Sequence, residues 1–183
     1  FQRMIRLSNQ QEEFVMSEKK ELHQSFSVFT VGSVQVSEMD GFFAVKLLPE
    51  FREAMEGLDQ FQHVIVLWWA DRQDSPQARH TLLTELPYAP GIQAGVFACR
   101  SEYRPNPIGI TISQILEIDK SQGIVRLAWI DAFDGTPVLD LKPYLPVSDR
   151  VRDVSVADWM KDWPVWMEDA GEYFASNPTN FGE

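Results

Sequence analysis

Cysteine is almost missing from the 183 residues: Cys99 alone is present, which excludes an internal disulfide framework and any zinc site built on several thiolates. Histidine is nearly as scarce, and His23, His63 and His80 are too scattered to suggest a metal-ligand spacing. No apolar run approaches the roughly eighteen residues of a membrane helix, and residues 1–9 lack the basic-then-apolar order of a secretory leader. A soluble, cytoplasmic, metal-free protein with no membrane partner is expected. Positive charge is also in deficit, with 16 Lys and Arg against 27 Asp and Glu for a net charge of −11. That argues against a broad cationic face, so any nucleic-acid phosphate must be met by a local patch. Glycine-rich nucleotide loops, HExxH and GxSxG are absent, as are internal repeats.

Apolar residues are plentiful: 44% of the chain is hydrophobic, with twelve Phe and six Trp, enough for one well-filled core. Two runs depart from ordinary core sequence. The first, GVFACRSEYRPNPIGI over residues 95–110, reads as an apolar strand (95–99) broken by a polar loop, with a second strand resuming over 108–116. Pro105 and Pro107 fix their own φ and bias Arg104 and Asn106 away from the helical region. Arg100, Ser101, Arg104 and Asn106 therefore project from a stiff backbone. The second, DAFDGTPVLDLKPY over residues 131–144, follows an apolar strand (124–130). Its Asp134-Gly135 pair is a strong turn signal, and a simple hairpin is the alternative to a functional role.

Elsewhere, residues 1–24 read as a polar arm, 25–150 as the folded domain and 151–183 as an acidic, Trp-rich tail. Residues 27–36 and 41–47 suggest a hairpin pair. Pro49 opens a helical turn over 50–56, and Gly57 suits its C-cap. Residues 61–70 form the most hydrophobic strand, with burial expected on both faces. His63 within it is either a structural hydrogen-bonder or a base. The segment 73–91 reads as a long functional loop, with a short strand or helical turn over 82–86. In the tail, Trp159, Trp163 and Trp166 at helical spacing suggest a helix on the domain or a partner copy, or else a stacking platform.

Together with VKLLPEF (45–51) and GLDQFQH (57–63), the two runs resemble the TsaA-like family, also called TrmO, over about residues 26–146. The resemblance implies a mainly β protein: a single antiparallel β-barrel domain, here with a C-terminal helical tail. It further implies a homodimeric methyltransferase that uses S-adenosyl-L-methionine and N6-methylates threonylcarbamoyl-adenosine at tRNA position 37. By the same resemblance Ala70, Asp71, Arg100, Ile110, Asp131, Ala132, Phe133 and Asp134 contact the cofactor. Residue chemistry agrees: Arg100 can fork a carboxylate, Asp131 or Asp134 can accept from ribose or amine, and Phe133 or Ile110 can cover an adenine face. Arg104, Asn106, Lys142 and Tyr144 are candidates for binding the acceptor, and Asp134 is the candidate base. Cys99 replaces the family's usual Thr, Asp71 stands where many members have His, and a Pro-Arg-Gln insertion is missing from the crossing over 37–40. A small-molecule acceptor, or a cofactor-binding module without turnover, remain the alternatives.

Overall fold

The structure, a computed structural model, describes residues 25–37 and 41–176; the arm over 1–24 and the crossing at 38–40 lie outside the described residues. Six strands, β1 (Gly32–Ser37), β2 (Phe42–Leu47), β3 (His63–Trp69), β6 (Ile108–Asp119), β7 (Ile124–Leu127) and β8 (Pro137–Pro143), close into a barrel. Its order is β1-β2-β7-β6-β3-β8, antiparallel throughout. Two short strands, β4 (Leu83–Glu85) and β5 (Gln93–Gly95), pair separately.

Period-two alternation fills the barrel. Val34, Val45, Leu47, Val64, Val66, Val125, Leu127 and Val138 point inward and are almost completely buried, each contributing about 1.5 kcal/mol or more. β3 does not bury both faces as its continuous apolar run suggests. Val64 and Val66 are inside, whereas Ile65 and Leu67 are half-buried on the outer face. They stand beside Ile112 and Ile110 of β6, so a wall of apolar residues on the barrel exterior replaces the expected second layer. A bulge against β8 between Leu67 and Trp68 lets Trp68 pack against the core.

Other expectations are corrected by hydrogen bonding. The strand over 95–99 stops at Gly95, and Val96–Ala98 is a 3-10 turn outside the barrel. The strand expected over 27–36 begins only at Gly32; Phe26, Val28 and Phe29 before it stay exposed. Residues 49–55 form a 3-10 helix, with Gly57 just beyond at φ 82°, where a glycine is favoured. In the tail, no continuous helix carries the three tryptophans. Two 3-10 turns (Asp158–Met160 and Met167–Asp169) precede one short helix, Ala170–Ser176. Trp163 lies edge-on to Tyr88 and Phe174, each with centroids 5.0 Å away. The tail therefore docks on the segment between β4 and β5.

Candidate functional site at one barrel rim

The C-terminal end of β3 and the N-terminal ends of β6 and β8 meet at one rim. Trp69 pairs with Ile108, and the Ala70 N–H donates to the Pro107 carbonyl at 2.8 Å. This ties the proline-locked loop to the exit of β3. Within the loop, the Arg104 guanidinium donates to the carbonyls of Cys99 (3.3 Å) and Ser101 (3.4 Å), and Tyr103 N–H to Ser101 Oγ at 3.2 Å. Arg104 is thus engaged in holding the loop's shape. Arg100 is exposed and has no partner among the described residues.

The Asp-Gly turn is stitched to β1. Gly135, at φ 81°, donates from its N–H to Val34 O at 2.9 Å, while Val34 N–H donates to Thr136 O at 2.9 Å. Asp134 Oδ1 accepts from Val36 N–H at 3.0 Å, so one oxygen of the candidate base already serves the fold. On its other side the turn hangs from Thr111, a polar residue inside the barrel and 1% exposed. Its Oγ1 accepts from Trp68 Nε1 (3.1 Å) and Asp131 N–H (3.4 Å). Thr111→Val would leave both donors without a partner, and a loss of about 1–3 kcal/mol is expected, with Thr111→Ser recovering most of it. Urea melts of the two variants decide this; equal stability of Val and Ser would show that the hydroxyl holds nothing.

Electrostatics separates the rim carboxylates. Although Asp131 keeps some surface exposed, partial burial of its carboxyl, followed by the nearby charge of Glu102, pushes its pKa above the ordinary value. Asp74 goes the other way. Hydrogen bonds first from Arg79 and then from Trp69 Nε1, the latter at 2.9 Å, lower it to about 2. This Asp74–Arg79–Trp69 bracket fixes the turn Asp71–Gln73, where Asp71 and Arg72 are exposed. The sequence reading missed it. Its readable trace was Ser75-Pro76: Ser75 Oγ caps the helical turn Pro76–Arg79 by accepting from Ala78 N–H at 3.1 Å. From the bracketed turn Arg72 reaches across to lie over the Phe133 ring at 4.0 Å.

The rim therefore brings together Ala70, Asp71, Arg100, Arg104, Asn106 and the turn carrying Asp131, Ala132, Phe133 and Asp134. Ile110 lies one step along the outer face of β6, 41% exposed beside Leu67. Lys142 and Tyr144 are not at the rim. Lys142 pairs with Asp140 at 2.6 Å on β8, and Tyr144 lies past the far end of that strand, edge-on to His63. A cavity of about 380 Å³ also opens at that far end, lined by Val31, Leu47, Phe51, Met55, Phe61 and Pro143 among others, with no cationic side chain. Groups able to recognise a charged or polar ligand are concentrated at the rim, and the cavity offers chiefly apolar contact.

Barrel and rim together define a small closed antiparallel β-barrel domain with a polar site borne on its loops. The chain belongs to the family described as the tRNA-methyltransferase O N-terminal domain, which matches residues 32–150. Among curated relatives, a probable S-adenosyl-L-methionine-binding protein of Archaeoglobus fulgidus is 36% identical over 118 residues, 64% of this chain and 30% of that one. The tRNA (adenine(37)-N6)-methyltransferase of Escherichia coli is 37% identical over 108 residues, 57% of this chain and 45% of the relative. A crystal structure of TrmO from Pseudomonas aeruginosa superposes with a TM-score of 0.55 at 31% identity, covering 74% of this chain and 63% of that one. The chain thus spans less than half the length of these two curated relatives.

Proposed function

We propose that this chain is an S-adenosylmethionine-dependent methyltransferase acting on N6 of an adenosine in tRNA, with threonylcarbamoyl-adenosine at position 37 as the favoured acceptor. The reading is carried by the meeting, at one rim, of an uncommitted Arg100 with the Asp131–Asp134 turn, in a chain whose relatives bear the names given above. The residues fit the cofactor: Arg100 offers a planar fork for a carboxylate, Asp131 and the second oxygen of Asp134 can accept from ribose hydroxyls or an ammonium, and the Phe133 ring offers an apolar surface on the face that Arg72 does not cover. When bound, S-adenosylmethionine supplies a methyl group on a positively charged sulfur. The protein's own task is to hold donor and acceptor in line, which can contribute about 7–11 kcal/mol. The loop pinned by Arg104 and the turn hung from Thr111 supply that rigidity. Asp134 is the candidate base, with one oxygen already engaged by Val36 N–H, and Asp131, whose carboxyl is pushed upward by partial burial, is a second group placed to take up the acceptor's proton.

The net charge of −11 favours a second reading, in which the acceptor is a small molecule. Transfer of labelled methyl from S-adenosylmethionine to total tRNA separates the two. Label in tRNA, located at N6 of adenosine, supports the first reading; cofactor binding without label in tRNA supports the second.

A further inference from the structure

Seven of the twelve Lys and Arg among the described residues are committed to the fold. Lys46, Arg52 and Arg104 donate to the carbonyls of Gln122, Ser121, Cys99 and Ser101. Arg79, Lys120, Arg126 and Lys142 each pair with a carboxylate within 3.3 Å. At the rim this leaves Arg100, which the proposed function assigns to the cofactor, and Arg72.

Arg72, like Arg150 over Trp166 in the tail, rests on an aromatic ring. Its guanidinium lies over the Phe133 ring, 4.0 Å from the centroid, and it has no carboxylate partner within ion-pair distance among the described residues. The nearby Asp74 is occupied by Arg79 and Trp69. A guanidinium resting on an aromatic face spends only its π surface; its N–H donors radiate in its plane and remain available for a bidentate anion. Both supports of this pair are braced, the Arg72 turn by the Asp74 bracket and the Phe133 turn by Thr111 and Val36. Exposed aromatics stand on the neighbouring loops: Phe97, Tyr103 and Trp129 are 82%, 47% and 41% exposed. An uncommitted cation with exposed rings on nearby loops suits a single-stranded nucleic acid, with a phosphate on the guanidinium and bases on the rings. A second protein or a second copy could offer a carboxylate to the guanidinium, but RNA offers phosphate and bases together, matching both the cation and the rings.

Resting on the proposed function, we infer that Arg72, held on Phe133, is a substrate-recognition residue that binds a backbone phosphate of the RNA acceptor. It compensates locally for the chain's acidity and orients the strand across the rim without touching the reacting atoms.

The test measures binding of fluorescently labelled total tRNA at several salt concentrations, and binding of S-adenosylmethionine by calorimetry, for wild type, Arg72→Ala, Arg72→Lys and Lys120→Ala. Lys120 sits at the β6–β7 turn at the opposite end of the barrel, paired with Glu56 and Asp59, so its loss reports the effect of overall charge. The expected result for Arg72→Ala is a roughly tenfold loss of tRNA affinity and a salt slope reduced by about one, with cofactor affinity unchanged. Arg72→Lys should recover part of the affinity, and Lys120→Ala should behave as wild type. Loss of cofactor affinity with tRNA binding intact overturns the assignment, as does an equal effect of Lys120→Ala or no effect of Arg72→Ala. A wild-type protein that binds tRNA but transfers no methyl to it sinks the proposed activity instead, and leaves the Arg72 comparison decisive.

Discussion

Replacing Arg100 with alanine is expected to weaken S-adenosylmethionine binding by about tenfold to a hundredfold, the loss of a charge-assisted fork, and to abolish most transfer at ordinary cofactor concentrations. The melting temperature should move little. Arg100 is exposed and makes no hydrogen bond or ion pair among the described residues, and truncating such a side chain typically changes stability by under about 0.5 kcal/mol. Its neighbour Arg104 makes the contrast: with two backbone carbonyls on its guanidinium, Arg104→Ala should loosen the loop itself. Calorimetric titration and a thermal melt on the same Arg100→Ala sample check the pair of statements. Intact cofactor binding, or a large drop in melting temperature, would move Arg100 from recognition to architecture.

A large stability effect is expected at Gly109. A Cβ built there would fall inside the indole of Trp68, against Cε2, Cδ2 and Cζ2. The ring has nowhere to go: its Nε1 is held by Thr111 Oγ1 at 3.1 Å, it packs against the core, and its backbone sits at the β3 bulge. Relief therefore requires moving the β3–β6 pairing, and Gly109→Ala should cost about 3 kcal/mol or more. Adding Trp68→Val should recover part of that loss, because the clash and its cure are in contact and do not add. Urea denaturation of the two single variants and the double completes the cycle. Additive losses would show that the indole and the new methyl never meet.

Much of the barrel was readable because its strands follow period-two alternation: β6, β7 and the Asp134-Gly135 turn lie close to where residue types place them, and the β1–β2 hairpin forms as expected. The failures have physical causes. The apolar residues over 27–31 look like the start of a strand, but pairing depends on a neighbour, and among the described residues the main-chain bonds there are those of Val31 with Val138 and Leu48. The apolar run of β3 suggests burial on both faces because sequence cannot distinguish an inner layer from an apolar outer wall. At the site, the stiffness of the proline loop was legible, as were the chemical types on it. Which guanidinium is spent was not: Arg100 and Arg104 look alike in sequence, and only the carbonyls of Cys99 and Ser101 tell them apart. Lys142 and Tyr144 share a motif with Asp131 and Asp134, yet a strand carries them to the barrel's other end, since each residue advances about 3.3 Å.

The seam between β1 and β8 gives the barrel a history. It has only two register pairs, Gly32 with Val138 and Ser33 with Pro137, and its clasp joins Val36 to Asp134 across 98 positions of chain. Closing so long a loop costs more entropy than forming the β6–β7 hairpin, and it is compensated only by contacts that depend on the other strands already being in place. The seam is therefore the late event in folding, and the turn bearing Asp131 and Asp134 takes its final shape with it. Pulse-labelled amide exchange should find Ala128, bonded to Gln114 O within the hairpin, protected before Val34, bonded to Thr136 O across the seam; the reverse order would place closure first. A chain halted before that step would have most of its barrel and no working rim.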